Sequence, residues 1–158
     1  MLRRLKRLQY TMKESAEKYR KQAYEELKFY QDICEIRRLI FKITEKFAKK
    51  HMRLVSQMRD AARSAKQNVR EGYRRGTVGE FIHSIKISQG SLEELSGDME
   101  DCLEDGLISE EEFQTFIKLF RSSTYLSSRY VKSIYKLEEN GKWKVPGKSV
   151  IGNFRNLR

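Results

Sequence analysis

The sequence predicts an all-α protein, an antiparallel up-and-down four-helix bundle, on three observations. Apolar residues recur at the helical period over long stretches, the 158 residues include a single proline, and the breaks between periodic stretches are short. Helices with one apolar face, joined by short loops, pack as an antiparallel bundle. We therefore divide the chain into a basic N-terminal helical extension, the bundle and a flexible basic tail, which are residues 1–22, 23–140 and 141–158.

The first two helices are predicted at about residues 23–50 and 52–75. Helix one has an apolar seam from Leu27 to Phe47, and its basic end, Lys49-Lys50-His51, suits the negative pole of a helix. Helix two has an apolar face with alanines at its centre, made of Leu54, Met58, Ala61, Ala62, Ala65 and Val69. Such small residues predict a close approach by a neighbouring helix.

Helix three is predicted at about residues 77–105. Thr77 and Glu80 form a capping box just after a turn at Gly76, and Gly106 suits the helix end. Its core line is Phe81, Ile85, Ser88, Leu92, Leu95, Met99 and Leu103. An acidic line on the same helix is interpreted as a solvated or salt-bridged face, formed by Glu94, Asp98, Asp101 and Asp105.

Helix four starts at a second capping box, Ser109 with Glu112, and stops at Asn140-Gly141. Its predicted apolar line is Phe113, Phe116, Phe120, Tyr130, Val131, Ile134 and Leu137. In the tail, an indole between two cations suits stacking on an unpaired base while the cations hold phosphate. The tail candidates for nucleic-acid binding are therefore Lys142, Trp143 and Lys144.

A basic stripe along helix two is the main indication of function. Steps of four, three, four and four keep its cations on one line of the helix surface, and they are Arg59, Arg63, Lys66, Arg70 and Arg74. In a hairpin that turns at Gly76, residues 63–74 lie opposite residues 78–89, where the charged residues are Glu80 and Lys86. We therefore expect the stripe to need another surface, another subunit or phosphate.

Two further residues at the end of helix two join this candidate interface. Arg75 adds a cation, and Tyr73 lies among the arginines, where its ring is a candidate for stacking on a base. The alternative for Tyr73 is packing at the hairpin end.

The overall charge favours a polyanionic partner. The formal net charge is +11 with a pI near 9.7, which suits nucleic acid, with an anionic membrane surface as the alternative. Residues 51–76 have seven Lys or Arg against two acids, whereas residues 77–106 have one against eight. This polarity suits self-assembly of subunits as well as RNA or DNA binding.

The sequence contains no motif for catalysis or metal binding. It has no Gly-rich phosphate loop, metalloprotease motif or nucleophile elbow, and His51 and His83 stand alone, so we expect neither enzyme activity nor a cofactor or metal. Cys34 and Cys102 fit the core of a reduced protein. No stretch approaches the roughly 18 apolar residues of a membrane span. A cytoplasmic protein without a membrane partner is the expectation.

Residues 57–95 resemble the signature region of the bacterial four-helix-bundle proteins named for intervening sequences in 23S rRNA genes. That family is similar to the accessory variability protein of diversity-generating retroelements. The resemblance extends more loosely over residues 29–120, and its matching positions are Gln57, Arg59, Ala61, Ala62, Ser64, Asn68, Glu71, Gly72, Arg75, Glu80, Phe81, Gly90, Ser91, Glu94 and Leu95. It implies a ring-like homopentamer with a basic surface and, for the retroelement branch, a reverse transcriptase and its RNA as partners.

Several matching residues also have structural roles that their chemistry predicts. Glu71 and Arg75 are spaced for an i,i+4 ion pair, and Asn68 is suited to bonding across helices. Gly72 and Gly90, with the serines 84, 88 and 91, allow a close approach of two helix backbones.

Two functions follow from these observations. The first is a non-catalytic, oligomeric scaffold that binds nucleic acid and serves a reverse transcriptase as its accessory subunit. The second is a protein-binding oligomeric adaptor encoded in an rRNA intervening sequence, in which the stripe meets the acidic line of a neighbouring subunit.

Overall fold

The computed structural model describes residues 22–139, and within them the predicted all-α bundle is confirmed. Nearly all of the extension 1–22 and the whole tail with Lys142, Trp143 and Lys144 lie outside the described residues. Two short 3-10 helices, Ala23–Glu26 and Lys49–His51, flank the first α-helix. The four α-helices are α1 (Lys28–Thr44), α2 (Met52–Arg75), α3 (Val78–Glu104) and α4 (Glu110–Glu139).

Each helix packs against the next one along the chain, and α1 also packs against α4. The most extensive contact joins α2 and α3, as the small residues at the centre of α2 predict. Within residues 22–139, the backbones of α2 and α4 make no close contact with each other. The helices therefore occupy four corners of the bundle, and α2 and α4 are diagonally opposite.

Helix α1 is shorter than predicted, because the α-helix ends at Thr44 and not near Lys50. The Thr44 hydroxyl donates to the Ile40 carbonyl at 2.7 Å, and the chain then turns, with the Phe47 N–H on the Thr44 carbonyl at 3.3 Å. This turn lets Phe47 pack against the core from outside the helix. The basic residues that suggested a helix end form the separate 3-10 helix Lys49–His51.

Both predicted capping boxes start their helices. The Glu80 N–H donates to Thr77 Oγ1 at 3.3 Å, and the Thr77 hydroxyl donates to the Glu80 carboxylate at 2.9 Å. The Ser109 box is reciprocal, with each backbone N–H donating to the side chain of the other residue, at 2.9 and 3.2 Å. Left-handed φ values of 83° and 69° are adopted by the glycines that follow α2 and α3, which are Gly76 and Gly106.

The predicted apolar lines of α1, α2 and α3 are buried or packed against the core. Leu137 on α4 is an exception, because its side chain is 41% exposed. Helix α4 has 30 residues and α1 has 17, so the last turn of α4 extends past the helix beside it. Val55, on α2, is buried although it was not assigned to the apolar face.

An aromatic cluster closes the end of the bundle near the α2–α3 turn. The Tyr73 ring centroid lies 5.0 Å from that of Tyr24 and 5.7 Å from that of Phe81, and Phe81 lies 6.1 Å from Tyr130. Burial raises the pKa of Tyr73 and raises that of Tyr130 to about 12. Since Tyr73 is only 3% exposed, the stacking role predicted for it does not fit, and packing at the hairpin end does.

Candidate nucleic-acid interface

Polar side chains connect α2 and α3 along their contact, which we call the α2–α3 seam. Three hydrogen bonds join the two helices. Gln57 Nε2 donates to Asp98 Oδ1 at 2.9 Å, and Ser88 Oγ donates to the Ala65 carbonyl at 2.6 Å. The third bond joins Ser64 Oγ and Ser91 Oγ at 3.0 Å. The paired residue numbers rise on one helix as they fall on the other, so the hairpin is antiparallel. Hydrogen bonds of this kind fix the register of two helices that approach closely.

The two helices also approach each other closely at Gly72. A Cβ at this position would lie 2.4 Å from Ser84 Cβ and 2.6 Å from Ser84 Oγ. No such contact is sterically allowed, so the small size of Gly72 is a requirement of the seam.

Asn68 and Gly90 do not make the contacts between helices that the sequence predicts for them. Asn68 bonds within α2, from Nδ2 to the Ser64 carbonyl at 2.9 Å and to Ser64 Oγ at 3.1 Å, and not across helices. It reaches α3 only through Ser64, which bonds to Ser91. Gly90 lies on the exposed face of α3, where an added Cβ would meet no atom of another described element within 4 Å. Within the described part of the chain it therefore allows no close approach of two helices.

Arg59 belongs to the packing of α1 and α2 rather than to an exposed stripe. Its Nε donates to Thr44 Oγ1 at 2.9 Å, and its guanidinium lies 4.7 Å from the centroid of the Phe41 ring. A terminal nitrogen of Arg59 donates to the Phe41 carbonyl at 3.4 Å, one of the last carbonyls of α1. Arg59 therefore caps the end of α1 and is half-buried, and its contact with phosphate stays a prediction.

Three guanidinium groups lie close to the Phe41 ring. Arg37 lies at 4.6 Å, Arg59 at 4.7 Å and Arg63 at 5.9 Å from the ring centroid. The carboxylate of Asp60 lies 3.9 Å from Arg63. Arg37 extends the basic surface from α2 onto α1, and the periodicity of a single helix does not reveal it.

The rest of the stripe runs beside α1 toward the 3-10 helix Ala23–Glu26. Lys66 is half-buried and lines a shallow depression with Cys34, Glu35 and Arg38. Arg70 and Arg74 are exposed, and among the described residues neither they nor Lys66 form an ion pair.

Arg70 and Arg74 lie near the Tyr24 hydroxyl. Burial and the negative charge of Glu25 raise the pKa of Tyr24, and the positive charges of these two arginines lower it in part. Arg75 pairs with Glu80 across the turn, at 3.7 Å, and not with Glu71, which is exposed on α2. The free cations of the stripe are thus Lys66, Arg70 and Arg74, with Arg63 loosely paired.

Asp98 is not part of a solvated acidic face, because it is buried against α2. Its Oδ1 accepts from Gln57, and within the described residues its Oδ2 has no hydrogen-bond partner. Burial raises the pKa of Asp98, the hydrogen bond from Gln57 lowers it in part, and the charges of Glu94 and Asp101 raise it further.

We expect Asp98→Asn to raise the free energy of unfolding at pH 7, on the order of 1 kcal/mol. The raised pKa means that the folded state holds its proton more tightly than the unfolded state, so wild-type stability falls as pH rises from about 4 through the folded pKa. Thermal unfolding at pH 7 and below about pH 4 measures the effect. A gain of the same size at both pH values would contradict the assignment to the carboxylate charge.

The described residues contain no group of three or more His, Cys, Asp or Glu that could hold a metal ion. Cys34 and Cys102 are free thiols, and burial raises the pKa of Cys102 to about 11. His83 is exposed on α3.

No helix among residues 22–139 is both long enough and apolar enough to cross a membrane.

The fold and the site define a class of small, basic four-helix-bundle proteins, in which one tight helix pair carries a row of cations on its outer side. The family model described as 23S rRNA-intervening sequence protein matches residues 25–129, from before α1 into α4. The chain belongs to this family of 23S rRNA-intervening sequence proteins. No curated protein matches the chain.

Proposed function

We propose that this protein is a non-catalytic, oligomeric scaffold that binds nucleic acid and acts as an accessory subunit of a reverse transcriptase ribonucleoprotein. The observation that supports this proposal best is a row of exposed cations on α2, formed by Arg63, Arg70 and Arg74. Among the described residues, none of the three forms an ion pair with α1 or α3. Phosphate is the ligand that such a row suits, because guanidinium groups donate paired hydrogen bonds to phosphate oxygens.

The dimensions of the row support contact with a nucleic-acid backbone. Arg63 and Arg74 are 11 residues apart on one helix, a separation of about 16 Å at 1.5 Å per residue. Along the axis of a duplex each strand carries one phosphate per about 3.4 Å, so the row is long enough to contact more than one phosphate of a backbone. Contacts of this kind hold the backbone and read little base sequence.

We propose the oligomer and the reverse transcriptase partner because the sequence resembles the retroelement accessory protein. The charge distribution also supports an oligomer. Helix α2 is strongly basic and the region of α3 strongly acidic, so opposite faces of two copies attract. A ring of five copies would repeat the row of cations and raise the avidity for a long polyanion.

We expect the double variant Arg70→Glu and Arg74→Glu to lose most affinity for a structured RNA. Wild-type affinity should fall steeply between about 50 and 200 mM salt, and the variant should lower the slope of log affinity against log salt by about two. Fluorescence anisotropy over a salt series measures both quantities.

The matched control is Lys49→Glu with Lys50→Glu, which changes the net charge equally on the exposed 3-10 helix Lys49–His51. It should retain most of the affinity. An equal loss in both double variants would show that total charge, and not the α2 row, attracts the RNA.

The protein-binding adaptor is the second candidate, and the outer face of α3 favours it. Gly90 and Gly97 lie on this face seven residues apart, and Ile87 beside them is 42% exposed. Among residues 22–139, no atom lies near enough to require a glycine at either position. A partner helix that packs there would explain both glycines.

Arg63→Glu separates the two candidates. If the α2 row meets the acidic α3 of a neighbouring subunit, this reversal should dissociate the oligomer, whereas under the nucleic-acid scaffold the oligomer persists and RNA affinity falls. Light scattering of nuclease-treated protein, with and without RNA, gives both readouts. A monomeric Arg63→Glu variant that still binds RNA as the wild type does would reject the scaffold.

A further inference from the structure

Helix α4 carries a second line of cations on its exposed face. Between Phe113 and Leu137 every charged residue is positive, because the acids of α4 lie at its two ends. The steps are three, four, four, three and four, with a tyrosine at the third place, and the line is Lys118, Arg121, Tyr125, Arg129, Lys132 and Lys136. All six side chains are exposed.

Tyr125 is the distinctive member of this α4 line. Its side chain is 60% exposed, the largest exposure of any large hydrophobic residue in the described part of the chain. Arg129 donates a hydrogen bond to its hydroxyl at 2.9 Å, and the guanidinium lies 5.6 Å from the ring centroid. The ring is thus held by one edge while much of its surface contacts solvent.

The α4 line has few anions to balance it. Within residues 22–139, no ion pair is formed by Lys118, Arg121, Arg129 or Lys132. A nearby acid is Glu111, which lines the same shallow depression as Lys118 and Arg121. An exposed aromatic ring among cations suits a polyanion with apolar faces of its own.

We propose that the α4 line is a second binding surface, specific for single-stranded nucleic acid, in which Tyr125 stacks on an unpaired base and the cations on either side hold the backbone. Arg121 and Arg129 are eight residues apart, about 12 Å along the helix, and Tyr125 lies midway between them. Base stacking on an aromatic side chain needs bases that are unpaired, so a duplex is a poor ligand for this surface.

This surface is separate from the row on α2, because α2 and α4 are diagonally opposite in the bundle. The proposal of this second surface rests on the proposed function in one respect, which is that nucleic acid is the partner. It adds a preference for single strands, which the α2 row, without an exposed aromatic residue, has no means to express.

The test measures binding of one short RNA of about a dozen nucleotides, as a single strand and as a duplex, with a DNA strand of the same sequence alongside. Tyr125→Ala should weaken single-strand binding by about 5- to 150-fold and leave duplex binding unchanged. Tyr125→Phe, which keeps the ring, should bind as the wild type does. Ultraviolet cross-linking should place the single strand on the α4 peptide that contains Tyr125.

The proposal is overturned if Tyr125→Ala binds the single strand as tightly as the wild type while Arg70→Glu with Arg74→Glu abolishes that binding; the proposed function then stands alone. It is also overturned if Tyr125 cross-links to a second copy of the chain. Failure of the wild type to bind any of the three ligands would reject both proposals. Unchanged thermal unfolding of the Tyr125 variants shows that they remain folded.

Discussion

Gly72→Ala is expected to lower the free energy of unfolding by about 2–3 kcal/mol, within the upper range for overpacking a well-packed interior. The added Cβ would lie 2.4 Å from Ser84 Cβ, and both atoms are attached directly to helix backbones, so no side-chain rotation relieves the clash. The two helices would have to separate and lengthen the polar bonds between them. Urea unfolding followed by circular dichroism measures the loss.

Two variants make this expectation specific. Gly72→Ala combined with Ser84→Gly removes the opposing Cβ and should recover much of the lost stability, less about 1 kcal/mol for a glycine within a helix. Gly90→Ala has the same chemistry at an exposed position with no atom nearby, and should leave a single subunit as stable or more so. Equal losses at both glycines would contradict the steric explanation.

Phe81→Ala is expected to cost about 3–5 kcal/mol, the usual range for a buried Phe-to-Ala change. Phe81 is 1% exposed, and its ring lies between those of Tyr73 on α2 and Tyr130 on α4. Removing it leaves a cavity where three helices meet, and the two tyrosine rings lose their common neighbour. The loss is measured by urea unfolding.

Tyr125→Ala is the matched control for this second variant, because it removes an aromatic ring that is exposed. A change within about 0.5 kcal/mol is expected there. Phe81→Leu should fall between the two, since it keeps part of the buried volume. A Phe81→Ala loss below 1 kcal/mol would mean that the cluster is not packed in the folded protein.

The helix boundaries that could be predicted were those with a local chemical signal. Thr77 and Ser109 start α3 and α4 where their capping boxes predict, because a cap is an interaction between residues three apart. The end of α1 has no such signal. The residues directly after Thr44 contain no glycine or proline, and the structure places the hydrogen bonds of Thr44 and the packing of Phe47 where the helix ends.

The candidate site was predicted less completely. Periodicity predicts which residues share one face of a helix, but not which residues of other helices they contact. Arg59 is on the same line as Arg63, yet only Arg59 reaches Thr44, since that depends on where α1 ends. Tyr73 and Arg74 are adjacent in sequence, and the rotation of α2 alone decides that the first is buried.

The α4 line was missed for a different reason. Residues 107–140 have equal numbers of acids and bases, so a segment average hides it. The separation of the two signs along one helix, with acids at both ends and cations between, is the signal that would have revealed it.

The diagonal placement of α2 and α4 has a consequence for how the two surfaces influence each other. Adjacent helix axes lie about 8–10 Å apart, so diagonal axes are about 13 Å apart, and the outer faces lie further apart still. At physiological salt, charges in water are screened over about 8 Å. If both proposed surfaces bind nucleic acid, ligands on opposite corners should therefore bind independently, neither competing for space nor repelling each other through solvent. One subunit would then hold two strands at once and keep them apart.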